Sequence, residues 1–263
     1  MNPFYFGTGQ RRLFGVYEPA IFGSAGTRAA VLCYPWGTEY LHAHRAMRQL
    51  AIKLSVAGFH TLRFDFFGTG DSAGETTEAN LTEWQTDIEL AMEELKEITG
   101  ARQVTLIGMR VGGSLATEVA VSHPNEIDAL VLWDAVISGP EYLQSIGAVP
   151  RSDALHVTPT PANSRAIEEQ LLEIHGTPLT ANMMQDLQAI DLGNIISALS
   201  TRTLMLVTER SHFHNRPCPE LAGDAKSFLT LEHIKSFRPW IEDTSGTGAL
   251  PAQTIGRIVE WLA

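Results

Sequence analysis

The sequence has little cysteine, a deficit of positive charge and no long apolar run. Its two cysteines, Cys33 and Cys218, stand at no metal-ligand spacing and form no disulfide framework. That excludes a disulfide-stapled secreted scaffold, implies no metal and no cofactor, and makes a reducing, cytoplasmic compartment the expectation. No apolar stretch reaches the roughly 18 residues that a membrane-spanning helix needs. The first residues, through Phe22, carry Arg11, Arg12 and Glu18, and they lack the basic start and apolar run of a signal peptide. Lys and Arg number 19 against 30 Asp and Glu, a formal charge of -11, which disfavours nucleic acid or an anionic membrane as the main partner. Repeats and low-complexity tracts are also missing. What is present is a chain of 263 residues, 44% hydrophobic, long enough to bury a large core in one domain with an insertion.

Residues 29–34 form a short apolar run closed by Pro35-Trp36-Gly37, which reads as a buried strand ending in a turn. Met47, Leu50, Ala51 and Leu54 follow at helical spacing, and Gly58 closes that helix. A second buried strand covers 59–65 and runs into a glycine-rich turn. Asn80 and Glu83 form a capping box ahead of the apolar stripe Leu81, Trp84, Ile88, Met92 and Leu95, with Gly100 at the left-handed end. Strands at 104–107 and 129–133 flank a helix at 111–122. Alternation of strand and helix predicts an α/β fold, a mostly parallel sheet with helices on both faces. The pattern breaks after Ser138. Residues 138–199 read as a small helical cap insertion with no convincing strand, within a single domain spanning 1–263. The sheet resumes at 203–207 and 228–231, and a helix around Ile255, Ile258 and Leu262 ends the chain, with Pro251 near its first turn.

The stretch Leu106-Ile107-Gly108-Met109-Arg110-Val111-Gly112-Gly113 has the form strand, G-x-R-x-G, helix. A nucleophile elbow is G-x-S-x-G between a strand and a helix. Its sharp turn strains the central residue and holds that side chain at the carboxyl edge of the sheet. Every part of that pattern is here except the serine.

With Tyr34-Pro35-Trp36-Gly37-Thr38-Glu39, the stretch Arg63-Phe64-Asp65-Phe66-Phe67-Gly68-Thr69-Gly70-Asp71-Ser72-Ala73-Gly74, and Leu130-Val131-Leu132-Trp133-Asp134, the elbow resembles the α/β-hydrolase superfamily near its serine-aminopeptidase and lysophospholipase-like branch. More narrowly the chain resembles the exosortase-A-system-associated hydrolases. The likeness covers roughly residues 29–145. It implies an oxyanion hole made by the amide of Trp36 or Gly37 together with that of Val111. It implies a catalytic acid at Glu209, with Asp134 as the alternative, and a histidine just past the last strand. Residues 234–240 contain no histidine, and His233 falls at the strand end. Loss of triad members costs on the order of 10^6-fold in rate where the triad carries the reaction, so serine hydrolysis is not expected.

An arginine is always protonated and cannot attack a carbonyl. Beside a helix N-terminus and two oxyanion-type amides, Arg110 suits a carboxylate, phosphate or enolate. The expected partner is therefore a small anionic or acyl-containing molecule. A catalytic version has Arg110 steady an oxyanion while Glu39, His42 or His44 moves a proton. The alternative has Arg110 paired with a buried carboxylate such as Glu39 in a site without turnover. Asp65 and Asp71 are assigned to backbone bonding in the glycine turn, Ser114 and Cys33 to packing. His212 and His214 lack a third metal ligand. Two readings stay open: non-hydrolytic chemistry (lyase, cyclisation or acyl transfer), or a pseudo-hydrolase that binds a ligand or a protein.

Overall fold

Three runs of residues are almost wholly buried, with only Arg28 and Asp128 near their starts reaching solvent, and they become the middle of the sheet. In a computed structural model that describes residues 1–22, 27–148, 172–208, 228–242 and 249–263, these are β3 (Arg28–Cys33), β5 (Val104–Met109) and β6 (Ile127–Trp133). Strands covered by helices on both faces read as continuous apolar runs. Around them lie β1 (Asn2–Thr8), β2 (Arg11–Glu18), β4 (Phe59–Phe64), β9 (Arg202–Val207) and β10 (Leu229–His233), in the order β1-β2-β4-β3-β5-β6-β9-β10. The pairings β1–β2 and β2–β4 are antiparallel and the rest are parallel.

Among the described residues the α-helices are α1 (Thr38–Val56), α2 (Leu81–Thr99), α3 (Val111–Ser122), α4 (Gly139–Ser145), α5 (Ala181–Ala189), α6 (Leu192–Ile196) and α7 (Ala252–Leu262). The crossover through α1 leads from β3 to β4, one way along the sheet. Those through α2 and α3 lead the other way, to β5 and β6. Right-handed crossovers therefore put α1 on one face and α2 and α3 on the other. The chain reverses direction between β3 and β5, which are neighbours, and ligand crevices in such sheets open at that point, past the carboxyl ends of the strands. The loop 34–37 after β3 and Arg110 after β5 both stand there.

Two glycines set how tightly this corner closes. A Cβ on Gly112 would lie 2.3 Å from the Tyr34 carbonyl oxygen, and one on Gly108 would lie 2.4 Å from the Gly112 carbonyl oxygen. Helix α3 thus begins in contact with the ends of β3 and β5.

Several sequence expectations need amendment. The N-terminal hairpin β1–β2 extends the sheet by two strands that the apolar-run reading did not assign. The segment 138–199 does hold strands, since β7 (Leu172–Ile174) and β8 (Thr177–Leu179) pair as a short antiparallel hairpin; three residues each are too few to show a period. Half of the predicted capping box forms. Asn80 accepts from the Glu83 amide at 2.9 Å, but the Glu83 carboxylate turns to Arg11 instead of the cap backbone. Gly100 takes the left-handed conformation as expected, with φ 72°.

Gly112→Ala is expected to lower stability by about 1–3 kcal/mol, because the nearest atoms are backbone and cannot step aside. Gly256→Ala, in the exposed interior of α7 with nothing within 4 Å, is expected to raise it by about 0.5–1 kcal/mol. Urea unfolding of the two variants beside the parent checks both signs.

Candidate active-site cavity

Arg110 sits between β5 and α3 with φ 55° and ψ -123°, a conformation that side-chain-bearing residues seldom adopt. The turn is pinned from both ends. The Arg110 amide donates to the Trp133 carbonyl, and its own carbonyl accepts from Gly113, Ser114 and Val136. The side chain is buried, at 5% exposure. Its Nε donates to Glu39 Oε1 at 2.9 Å and its Nη1 to the Asp134 carbonyl at 3.2 Å. The guanidinium carbon lies 5.3 Å from the Tyr142 ring centre and 5.2 Å from that of Trp240. Nη2 makes no hydrogen bond among the described residues.

Glu39 comes from the first turn of α1, where a carboxylate is favoured by the helix dipole. Its second oxygen accepts from the Tyr142 hydroxyl at 3.1 Å. Burial pushes the Glu39 carboxyl up from its ordinary value, and Arg110 and Tyr142 pull it back only in part. For Arg110, burial works against the charge, but Glu39, Tyr142 and Asp134 outweigh it and the value is raised. Both groups are thus shifted upward, Glu39 by its burial and Arg110 by its anionic neighbours.

Above the pair opens a cavity of about 620 Å³, within the roughly 300–1,000 Å³ range of small-molecule sites. Trp36, Glu39, His42 and Arg110 line it, as do Tyr142 and Trp240. The backbone amides of Trp36, Gly37 and Val111 donate no hydrogen bond among the described residues. Gly37 and Arg110, the residues that precede α1 and α3, give no side-chain cap to those helices. Two helix N-termini with unspent N–H groups thus start beside one ion pair, a setting that favours an acceptor oxygen.

The remaining site residues fall in different places. His44 faces away from the cavity. It stands two positions from His42, about 200° around the helix, and packs on Tyr34 and Tyr40 with ring centres 4.8 and 4.5 Å apart. Asp134, at φ 44°, does not open onto the cavity either. Its two carboxylate oxygens accept from the amide and the hydroxyl of Thr208, both at 2.8 Å, which ties the end of β6 to the end of β9. Glu209, His212, His214 and Cys218 lie outside the described residues. Ser114 donates to the Val136 carbonyl at 2.8 Å and is fully buried. Asp65 accepts from the Asp71 amide and from Tyr40, bonding within its turn and to α1. Three residues that sequence reasoning missed meet at the cavity: Tyr142, Trp240 and His175. Only His175 left a local sign, the His-Gly pair at the β7–β8 turn, where it takes φ 49°.

Residues 37–174, just over half of the chain, match the family model described as serine aminopeptidase, S33. The chain belongs to this family of α/β-hydrolases. The S33 chain is 32% identical over 221 residues to human protein ABHD12B, an alignment covering 73% of this chain and 60% of that one. It is 26% identical over 106 residues to human mitochondrial palmitoyl-protein thioesterase ABHD10, covering 40% of this chain and 33% of that one. It therefore spans less than two thirds of the length of either relative. Among solved structures, Est1E from Butyrivibrio proteoclasticus with ferulic acid bound superposes with a TM-score of 0.74 at 16% identity, covering 98% of this chain and 97% of that chain. The enol-lactonase from Burkholderia xenovorans gives 0.64 at 15% identity, with 98% and 99% covered. These two likenesses speak to the fold.

Removing either charge alone leaves the other buried without its partner, at about 3–5 kcal/mol. Arg110→Met and Glu39→Gln are each expected to lose that much. The double variant, with no buried charge left, is expected to return to parental stability or above. Thermal unfolding of the four proteins as a mutant cycle measures it; two single-variant losses that simply add would refute the coupling.

Proposed function

We propose that this S33-family chain recognises a small acyl compound through its carboxylate or carbonyl oxygen in the cavity above Arg110, and that it does not hydrolyse by a serine route. Arg110 takes the elbow position at which the fold's hydrolases carry the nucleophile. The observation behind this reading is the Arg110 side chain itself: cationic, held at positive φ, engaged by Glu39 and Asp134, with Nη2 left for a ligand. Near it, Ser114 is turned away into a bond with Val136. In this reading the ligand's oxygen lies against Nη2 and the amides of Val111 and of Trp36 or Gly37. Each donates to an acceptor, and a bound anion would add to the partner charge that Glu39 already supplies. Trp36, Tyr142 and Trp240 flank the acyl or aryl body. Est1E, of the same fold, holds ferulic acid, which makes an aryl carboxylate a sensible first probe.

A second reading draws on the raised Glu39 carboxyl beside unspent amides. There Glu39 or His42 relays a proton while Arg110 steadies an enolate or oxyanion, giving lyase, cyclisation or acyl-transfer chemistry. The setting we assign is cytoplasmic, with a small-molecule partner and no nucleic acid, and the narrower kinship is with exosortase-A-system-associated hydrolases. No helix among the described residues is long and apolar enough to cross a membrane.

The parent is expected to release no p-nitrophenol from short acyl esters and no thiol from acyl thioesters above buffer, and Arg110→Ala is expected to behave alike. Calorimetry is expected to show ferulate and butyrate binding while their methyl esters bind at least tenfold more weakly. The Arg110→Met/Glu39→Gln protein, once its melting curve shows a parental fold, is expected to bind the carboxylates at least tenfold more weakly than the parent. Ester turnover that survives Arg110→Ala would overturn the proposal.

A further inference from the structure

The cavity above Arg110 does not end at its own wall. A cleft of about 100 Å³ adjoins it, and the two share His42 and Ile241. One side of this cleft is helix α1, where His42, Arg45 and Ala46 stand at i, i+3 and i+4 and so lie on one face. The other side is apolar: Phe237, Pro239, Ile241 and Leu250. Among the described residues, none of its lining comes from the segment 138–199, whose Tyr142, Ile174 and His175 line the first cavity. At the junction large apolar side chains stand in water. Leu41 is 65% exposed and Ile241 40%.

Resting on the proposed recognition of an acyl compound at Arg110, we propose that the ligand is an extended one, whose apolar tail passes between His42 and Ile241 and lies in this second cleft. The first cavity alone exceeds what a two- to four-carbon acyl group would fill. Arg110, Glu39 and Tyr142 form its floor, and its rim carries the exposed apolar Leu41 and Ile241 beside Arg238 and Glu242. A ligand of matching shape has an acceptor group at one end and a hydrocarbon at the other. Each methylene moved from water onto this rim and into the cleft strengthens binding by about fourfold, the equivalent of roughly 0.8 kcal/mol. The cleft is shallow, so the gain stops once it is filled.

The test measures binding of butyrate, octanoate and dodecanoate by calorimetry, to the parent and to Leu250→Trp and Leu250→Asp. Leu250 lines the second cleft and not the first, so neither variant touches the Arg110 end, and their melting curves show that each folds. The expected result is a rise in affinity of at least 100-fold from butyrate to dodecanoate in the parent. In both variants most of that rise is lost, while butyrate binding stays within twofold of the parent. An affinity that does not depend on chain length would overturn this inference and leave recognition at Arg110 standing. So would variants that weaken all three carboxylates alike. If none of the three binds, both readings fall together.

Discussion

The ion pair between Arg110 and Glu39 is the contact on which the carboxyl edge of the sheet depends. Two helices start at that edge with their first amides unspent, and each brings partial positive charge. Arg110 adds a full positive charge between them. Such a concentration of one sign, away from water, is tolerable only with an opposite charge in contact. Glu39 supplies it from the first turn of α1, 2.9 Å away. Tyr142 then bonds the other Glu39 oxygen and lays its ring near the guanidinium, so α4 is drawn to the same point. Trp240 approaches from the far end of the chain and closes another side.

The backbone beneath makes the pair possible. Arg110 reaches Glu39 only because its own turn is sharp, and the turn is sharp because α3 starts against the ends of β3 and β5. Gly108 and Gly112 permit that approach, where any Cβ would collide with main-chain atoms. The Asp134–Thr208 bonds fix the neighbouring strand ends, and the Asp134 carbonyl is thereby positioned to accept from Arg110. Local sequence, turn geometry and side-chain electrostatics thus form one chain of dependence running from two glycines to the cavity floor.

How much of this is readable in the sequence follows from how local each cause is. The central strands are legible because burial on both faces leaves nearly unbroken apolar runs, and α2 because its stripe repeats over about four turns. Strands β1 and β2 are harder to read. They are covered on one side only, and Tyr5 and Arg12 in their outer row do not resemble a core. Strands β7 and β8 are too short for any pattern. At the site, the strand–glycine–arginine–glycine–helix order announces the position of Arg110, and Glu39 is marked by the loop that precedes it. Tyr142 is 103 residues from the carboxylate it bonds, and Trp240 lies further still. Nothing near either residue marks it, since tertiary packing alone brings it in. His42 and His44 look equivalent in the sequence, and only the rotation of the helix between them sends one to the cavity and the other onto two tyrosines.

The energetics of the pair bear on why it is there. Burial pushes the Glu39 carboxyl up, while Glu39, Tyr142 and Asp134 hold the Arg110 guanidinium charged. Buried ion pairs as a class stabilise a fold little more than well-packed apolar side chains of similar volume do. Fold stability is therefore not what the pair supplies best. What it does supply is a fixed, orientable set of donors at the base of a cavity. The guanidinium plane is held by Glu39 and the Asp134 carbonyl, with one nitrogen left over. A lone arginine would be drawn into whatever anion came near, whereas one already braced on two sides presents its remaining N–H groups in a set direction. In the proposed recognition of a ligand oxygen, that kind of preorganisation is what favours one oxygen geometry over another.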